Sequence, residues 1–179
     1  MIVLAALSPI IAPYGFDEQN YAIARQTPSL QHLAGTDELG RDIFSRILYG
    51  GRVSLTIGII SVGIGLIFGG SLGVIAAYYG GVTETVIMRV IDVMMAIPSI
   101  ILSISICAAL GSGIVNTMIA VGISSIPTYA RVFRSSVISE KSKEYIEAAR
   151  AVGAGNARII LKHILPNSIA PVIVQASLG

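Results

Sequence analysis

The sequence predicts an all-α, polytopic membrane protein, and three observations carry that expectation. Hydrophobic residues fill 54% of the 179 positions and charged residues only 12%, whereas soluble domains carry about 25% charged residues. No charged side chain occurs from Val53 to Thr83, and none from Val93 to Ala130. A core of this chain length cannot enclose so much apolar surface, so lipid must cover part of it. A buried core helix is the plain alternative for any one apolar run. Several such runs in succession favour a bilayer. The net charge of +2 comes without a basic patch interleaved with aromatics, which argues against nucleic acid as a partner. Cys107 is the single cysteine, so no disulfide can close within the chain.

The elements follow in order. Met1 to Ala12 is apolar but too short for a crossing, which needs about 20 residues. No Lys or Arg precedes it, as a secretory signal would require. Residues 1–52 are therefore expected to hold the end of a first membrane helix and an extracytoplasmic segment. A first complete helix is expected over 53–79, closed by Gly80-Gly81. The second uncharged gap is too long for one span and is broken at Gly111-Ser112-Gly113. Helices are expected over 89–110 and 114–131, with Pro98 kinking the first. A loop over 132–168 follows, and the apolar run 169–179 starts a further helix. Both chain ends read as membrane helices truncated part-way.

Cations set the orientation. Arg131, Arg134, Lys141, Lys143, Arg150, Arg158 and Lys162 follow the third complete helix, and Arg89 lies at the other inner boundary. Residues 13–52 carry four arginines, five acids and no lysine. Lys and Arg bias marks the cytoplasmic side, so the 132–168 loop is expected inside and the 13–52 segment outside. Arg89 and Asp92 are three apart and can pair, as a gate or as an anchor, and anchoring is the plainer role. Asp37, Glu38, Arg41 and Asp42 could meet an outer partner or simply pair among themselves.

Small residues mark a packing face. Ser61, Gly65, Gly69 and Gly73 recur every fourth position, which places them on one side of a helix where backbones can approach closely in lipid. Packing within the subunit and packing across a pore both fit that stripe.

The stretch Glu144 to Pro166, EYIEAARAVGAGNARIILKHILP, is the chain's charged helical hairpin. A helix from about Lys143 aligns Tyr145, Ala148, Ala149 and Val152 on one stripe, with Glu147 and Arg150 close enough to pair. Gly153 suits the left-handed residue that ends a helix. Asn156 can cap a second helix, whose apolar positions are Ile160, Leu161, Ile164 and Leu165, and Pro166 resists simple continuation. Two alanines after a glutamate leave a face of little bulk that a partner's groove can approach, while the glutamate can pair with a basic group there. The competing reading is an amphipathic helix lying on lipid headgroups.

Glu147, Ala148, Ala149, Gly153, Leu165 and Pro166 fall into the pattern EAA-x3-G-x11-LP. This resembles the cytoplasmic loop of permease subunits of binding-protein-dependent ABC importers. LAGTDELGRDIFSRILYGGRVSL from Leu33, IDVMMAIPSIILSI from Ile91 and RIILKHILPNSIAPVIV from Arg158 resemble the oligopeptide, dipeptide and nickel branch. The similarity covers nearly all of the chain from about residue 30. It implies the type I permease fold over 53–179, holding the second to fourth membrane helices whole and the start of the fifth. His163 departs from the isoleucine usual two positions before the leucine, so no docking role is carried to it.

The resemblance further implies a multi-pass protein of a bacterial or archaeal inner membrane, moving peptides or related small solutes. Its expected partners are a second permease subunit, two ATP-binding cassette ATPases, an extracytoplasmic solute-binding protein and lipid. The six loop residues would dock the ATPase. The chain itself carries no G-x4-G-K-[ST] pattern, so it would not hydrolyse ATP, and neither a catalytic constellation nor a cofactor site is expected. His32 and His163 fall on opposite sides of the membrane and cannot share a metal. A secondary transporter or channel would place ionisable groups at mid-membrane, where both long gaps have none. A scaffold that recruits a protein through the same loop is the other rival.

Overall fold

A computed structural model describes residues 7–178 of the chain. The expected helix end over Met1 to Ala12 falls partly outside the described residues, and a single helical turn, Ser8–Ile11, lies within it. The chain divides into two compact units, Met1–Ile57 and Gly58–Gly179. Among the described residues the regular structure is helical, apart from an isolated bridge between Thr36 and Asp42.

In the first unit, irregular chain is tied by its own polar groups. His32 is buried and its Nδ1 lies 3.0 Å from Asp42 Oδ1, while the Tyr14 ring stacks on His32 at 4.8 Å. The other Asp42 oxygen accepts the Ser45 N–H at 2.7 Å, as an N-terminal cap does. Ion pairs join Asp37 to Arg41 and Arg46, and Glu38 to Arg25. Asp37, Glu38, Arg41 and Asp42 each have a pairing partner within this unit.

Helix α1 runs over Ile43–Tyr79, starting ten residues before the expected Val53. The last charge before the apolar run does not mark the helix start, because Arg46 and Arg52 sit on the polar first turns of the same helix. Residues Gly65–Gly69 form a wider π-helical turn within it. Helix α2, Gly81–Met95, and α3, Ser99–Leu110, replace the single helix expected over 89–110. They bend by 88°. Pro98 has no N–H to continue a helix and its ψ of 132° turns the chain out of helical geometry, so a kink is too mild a description.

Helix α4, Ile114–Lys141, continues ten residues beyond the expected end at Arg131. By length and composition α1 can cross a membrane, and each of two bent pairs, α2 with α3 and Asn156–Asn167 with Ile169–Ser177, could make one span. Helix α4 does not meet that criterion alone. Its polar Ser124 and Ser125 face protein and are satisfied by backbone: Ser124 Oγ donates to Ala120 O at 2.8 Å and Ser125 Oγ to Gly122 O at 2.7 Å. Packing against α1, α2 and α3 makes α4 the central helix of this unit.

The small-residue stripe lies against α4. Ser61 Oγ donates to Met118 O at 3.1 Å. A Cβ on Gly69 would come within 2.4 Å of Ile126 O, and one on Gly73 within 2.3 Å of Ala130 O. A Cβ on Gly65 would meet Ser125 Oγ and the Tyr129 ring. At Gly69 and Gly73 the close approach is to backbone, which only glycine permits, whereas at Gly65 it is to side chains. Helix α5 covers Glu144–Ala151, α6 covers Asn156–Asn167, and α7 covers Ile169–Leu178.

Candidate functional site

Helices α5 and α6 form the charged hairpin, and one apolar cluster fixes it. Ile146 of α5 and Ile159 and Ile164 of α6 have no exposed surface, and they pack with Val74, Ala77 and Tyr78 of α1, Phe133 and Val137 of α4, and Val172 of α7. Burying each isoleucine contributes about 1.5–3 kcal/mol, against about 0–1 kcal/mol for an exposed ion pair. The apolar anchors therefore dominate. Ile146 was missed in the sequence because the alanine stripe drew the helical period away from it, although it is the only large aliphatic residue of α5.

Part of α5 faces away from the cluster. Glu147 and Ala148 are exposed, Ala149 is half-buried, and Val152 is 85% exposed. Glu144 and Glu147 occupy the first turn, where the helix dipole favours anions, and Arg150 occupies the last. The expected Glu147–Arg150 pair is not among the ion pairs of the described residues; Arg150 lies over the Tyr78 ring at 5.8 Å instead. Helix α5 ends at Gly153, whose φ is +83°. The Gly153 N–H bonds to Arg150 O at 2.9 Å and the Ala154 N–H to Ala149 O at 3.0 Å. These two bonds satisfy carbonyls that the helix end would otherwise strand.

The start of α6 differs from expectation. Gly155 holds the capping position without a side-chain bond, and Asn156 is already helical. Its Oδ1 accepts from the Tyr78 hydroxyl at 2.8 Å. Nor does Pro166 end the helix. The Leu165 N–H reaches back to Ile160 O across a π-helical turn over Ile160–Ile164, which widens the helix just where proline would crowd the preceding turn. The break comes at Ser168, where the chain bends by 53° into α7. Leu165 is half-buried against the cluster and Pro166 is exposed.

A polar clasp closes the hairpin base. Glu140, at the end of α4, accepts from Lys143 Nζ and from the Tyr145 hydroxyl, each at 2.6 Å. Those bonds hold its carboxyl below the usual range, the Lys143 bond most. Burial, then the Glu140 carboxylate, pushes the Tyr145 hydroxyl up. Asn167 Nδ2 donates to the same hydroxyl at 3.3 Å, so Tyr145 joins the ends of α4 and α6. The His163 ring lies 6.4 Å from that of Tyr145.

A second polar region lies between α2 and α4. Glu84, Thr85, Met88, Arg89, Asp92, Arg131 and Arg134 line a cleft of about 430 Å³. Asp92 pairs with Arg131 at 2.8 Å rather than with Arg89, because α4 brings Arg131 directly across from it. Among the described residues no group of three or more His, Cys, Asp or Glu could hold a metal ion.

Residues 69–178 match the family described as binding-protein-dependent transport system inner membrane component. Among curated proteins, the chain is 48% identical over 178 residues to the dipeptide transport system permease protein of Alkalihalophilus pseudofirmus, covering 99% of this chain and 59% of that protein. It is 41% identical over 183 residues to the Haemophilus influenzae protein of the same name, covering 99% of this chain and 62% of that one. Similarity to the glutathione transport system permease protein of Escherichia coli is 45% identity over 175 residues, covering 97% and 58%. The chain spans about three fifths of the length of these relatives.

Proposed function

The chain belongs to the binding-protein-dependent transport system inner membrane component family, and from that premise we propose that it serves as a permease subunit of an ABC importer for peptides or related small solutes. Its hairpin is the surface on which a separate ATPase docks. One observation carries this reading: α5 is clamped from within by Ile146, Ile159 and Ile164, yet Glu147, Ala148 and Val152 remain uncovered. A rigid helix with a small-residue face and a free carboxylate suits the groove of a protein. A headgroup-lying helix would turn large apolar residues outward along with cations, and in α5 the large aliphatic residue points in.

In this reading the subunit crosses the membrane several times, with 132–168 on the cytoplasmic side and 13–52 outside, as the distribution of Lys and Arg favours. A second permease subunit completes the pathway, two ATPases drive it, and a solute-binding protein delivers cargo from outside. ATPase closure moves the hairpin as a rigid body and switches the opening of the pore. The names of the relatives, for dipeptides and glutathione, support short peptides as the solute class. The test is co-purification of the ATPase with the Glu147→Lys variant of the full subunit, beside peptide uptake in vesicles. A cation at this position repels the basic group expected opposite it, so docking and uptake should fall while membrane insertion persists. Normal docking and uptake would sink the reading.

A further inference from the structure

We propose that Tyr78 is the positioning residue through which a displacement of the hairpin reaches helix α1; the proposal rests on the docking reading above. Tyr78 occupies the last turn of α1 and is only 5% exposed. Three other helices grip it. The Asn156 side chain, from the first turn of α6, accepts its hydroxyl at 2.8 Å. The Arg150 guanidinium of α5 and the Lys141 ammonium of α4 each lie 5.8 Å from the ring centroid, within range of cation–π attraction. Lys141 Nζ also donates to the carbonyls of Tyr78 and Ala77, at 2.6 and 3.3 Å. Those carbonyls lie at a helix C-terminus, where they lack helical partners and where a cation is favoured.

Apolar burial alone would not make a joint of this kind. Contacts of the Ile146 cluster hold the hairpin in place but are non-directional, so they define its angle at the end of α1 less sharply than a directional bond does. A hydrogen bond weakens steeply as its angle opens, and a cation held to both ring and carbonyls resists the same slip. Phenylalanine would fill the site in the cluster equally well, so the hydroxyl's only distinct role here is its bond to Asn156. Asn156 in turn is free for it because Gly155 takes the capping position.

The experiment uses the full transporter, with its ATPases and binding protein, in proteoliposomes. It reads ATP hydrolysed per molecule of labelled dipeptide or labelled glutathione taken up, whichever the unaltered transporter imports. Tyr78→Phe and Asn156→Ala should each raise that ratio about threefold or more, as loss of one directional bond predicts, with the ATPase still co-purifying. The double variant should match the worse single one, because both remove the same bond. An unchanged ratio in both single variants, or losses that multiply in the double one, overturns the joint. If Tyr78→Phe fails to insert, Asn156→Ala decides alone, since that side chain is exposed. The two readings fail separately. Retained docking in Glu147→Lys removes the docking surface, whereas an unchanged ratio beside lost docking in Glu147→Lys removes only the joint.

Discussion

Arg134 Nε donates to Glu84 Oε1 at 2.7 Å, tying the first turn of α2 to α4. Arg131 and Asp92 make a second such link between the same helices at 2.8 Å. The Arg134 and Glu84 side chains are 35% and 25% exposed, so solvent screens them only in part. Glu84→Gln should destabilise the subunit by about 1 kcal/mol. Adding Arg134→Gln should cost little more, since the pair is already broken. Thermal unfolding in detergent checks this, and full additivity would mean the two groups act independently.

The close approach of α1 and α4 gives a sharper contrast. A Cβ on Gly69 meets backbone at 2.4 Å, while Ile67 is 66% exposed. Gly69→Leu should cost about 1–3 kcal/mol or more by forcing the helices apart, and Ile67→Leu should be near neutral. Equal melting temperatures and equal assembly for the two variants would show that the stripe is not an interface.

Gly153 should be sensitive to which residue tolerates a left-handed backbone. Its φ of +83° lies in the left-handed region, which costs an ordinary L residue about 1–2 kcal/mol. Gly153→Val should redirect α6 and reduce uptake at least several-fold while some ATPase still co-purifies. Gly153→Asn should keep most uptake, because asparagine tolerates this region. Uptake assays on the two variants side by side make the comparison, and equal uptake would remove the conformational argument.

In the first unit, Asp37 predicts a pH response. Burial raises its carboxyl, but backbone N–H bonds from Arg41 and Leu39 and the Arg41 guanidinium outweigh it and hold it at about 2. An unfolded aspartate titrates near about 3.9. The folded value is the lower one, so the stabilisation is present above the unfolded pKa and is lost as pH falls through about 2. The Asp37 carboxyl resonance should stay in its ionised position at pH 3, and a midpoint above 4 would contradict the geometry.

Several features were legible in the residues alone. Uncharged runs point to the membrane helices, and the run after Glu144 points to a hairpin with a turn at Gly153. Charge gaps failed as boundaries, because a helix may carry arginines on the turns beyond its apolar part, as α1 does at Arg46 and Arg52. The break between α2 and α3 was underrated because one proline fixes where helical geometry stops and says nothing of how far the chain then turns. Long-range contacts were invisible to sequence spacing. Asp92 has a plausible partner three residues away, yet α4 brings Arg131 across; Asn156 has a capping site beside it, yet Tyr78 draws its side chain away. Ile146 became legible only once Ile159 and Ile164 could be seen beneath it.

The turn at Gly153 also shows what kind of constraint the hairpin imposes. Among the described residues a Cβ there would meet no heavy atom within 4 Å apart from its chain neighbours, so the first side-chain carbon has room. The obstacle is stereochemical. A D-alanine installed by peptide ligation would sit without strain where L-alanine is strained, since mirror-image residues prefer positive φ. Residue 153 thus discriminates by chirality and not by volume, and enlarging the surrounding space would not relax it.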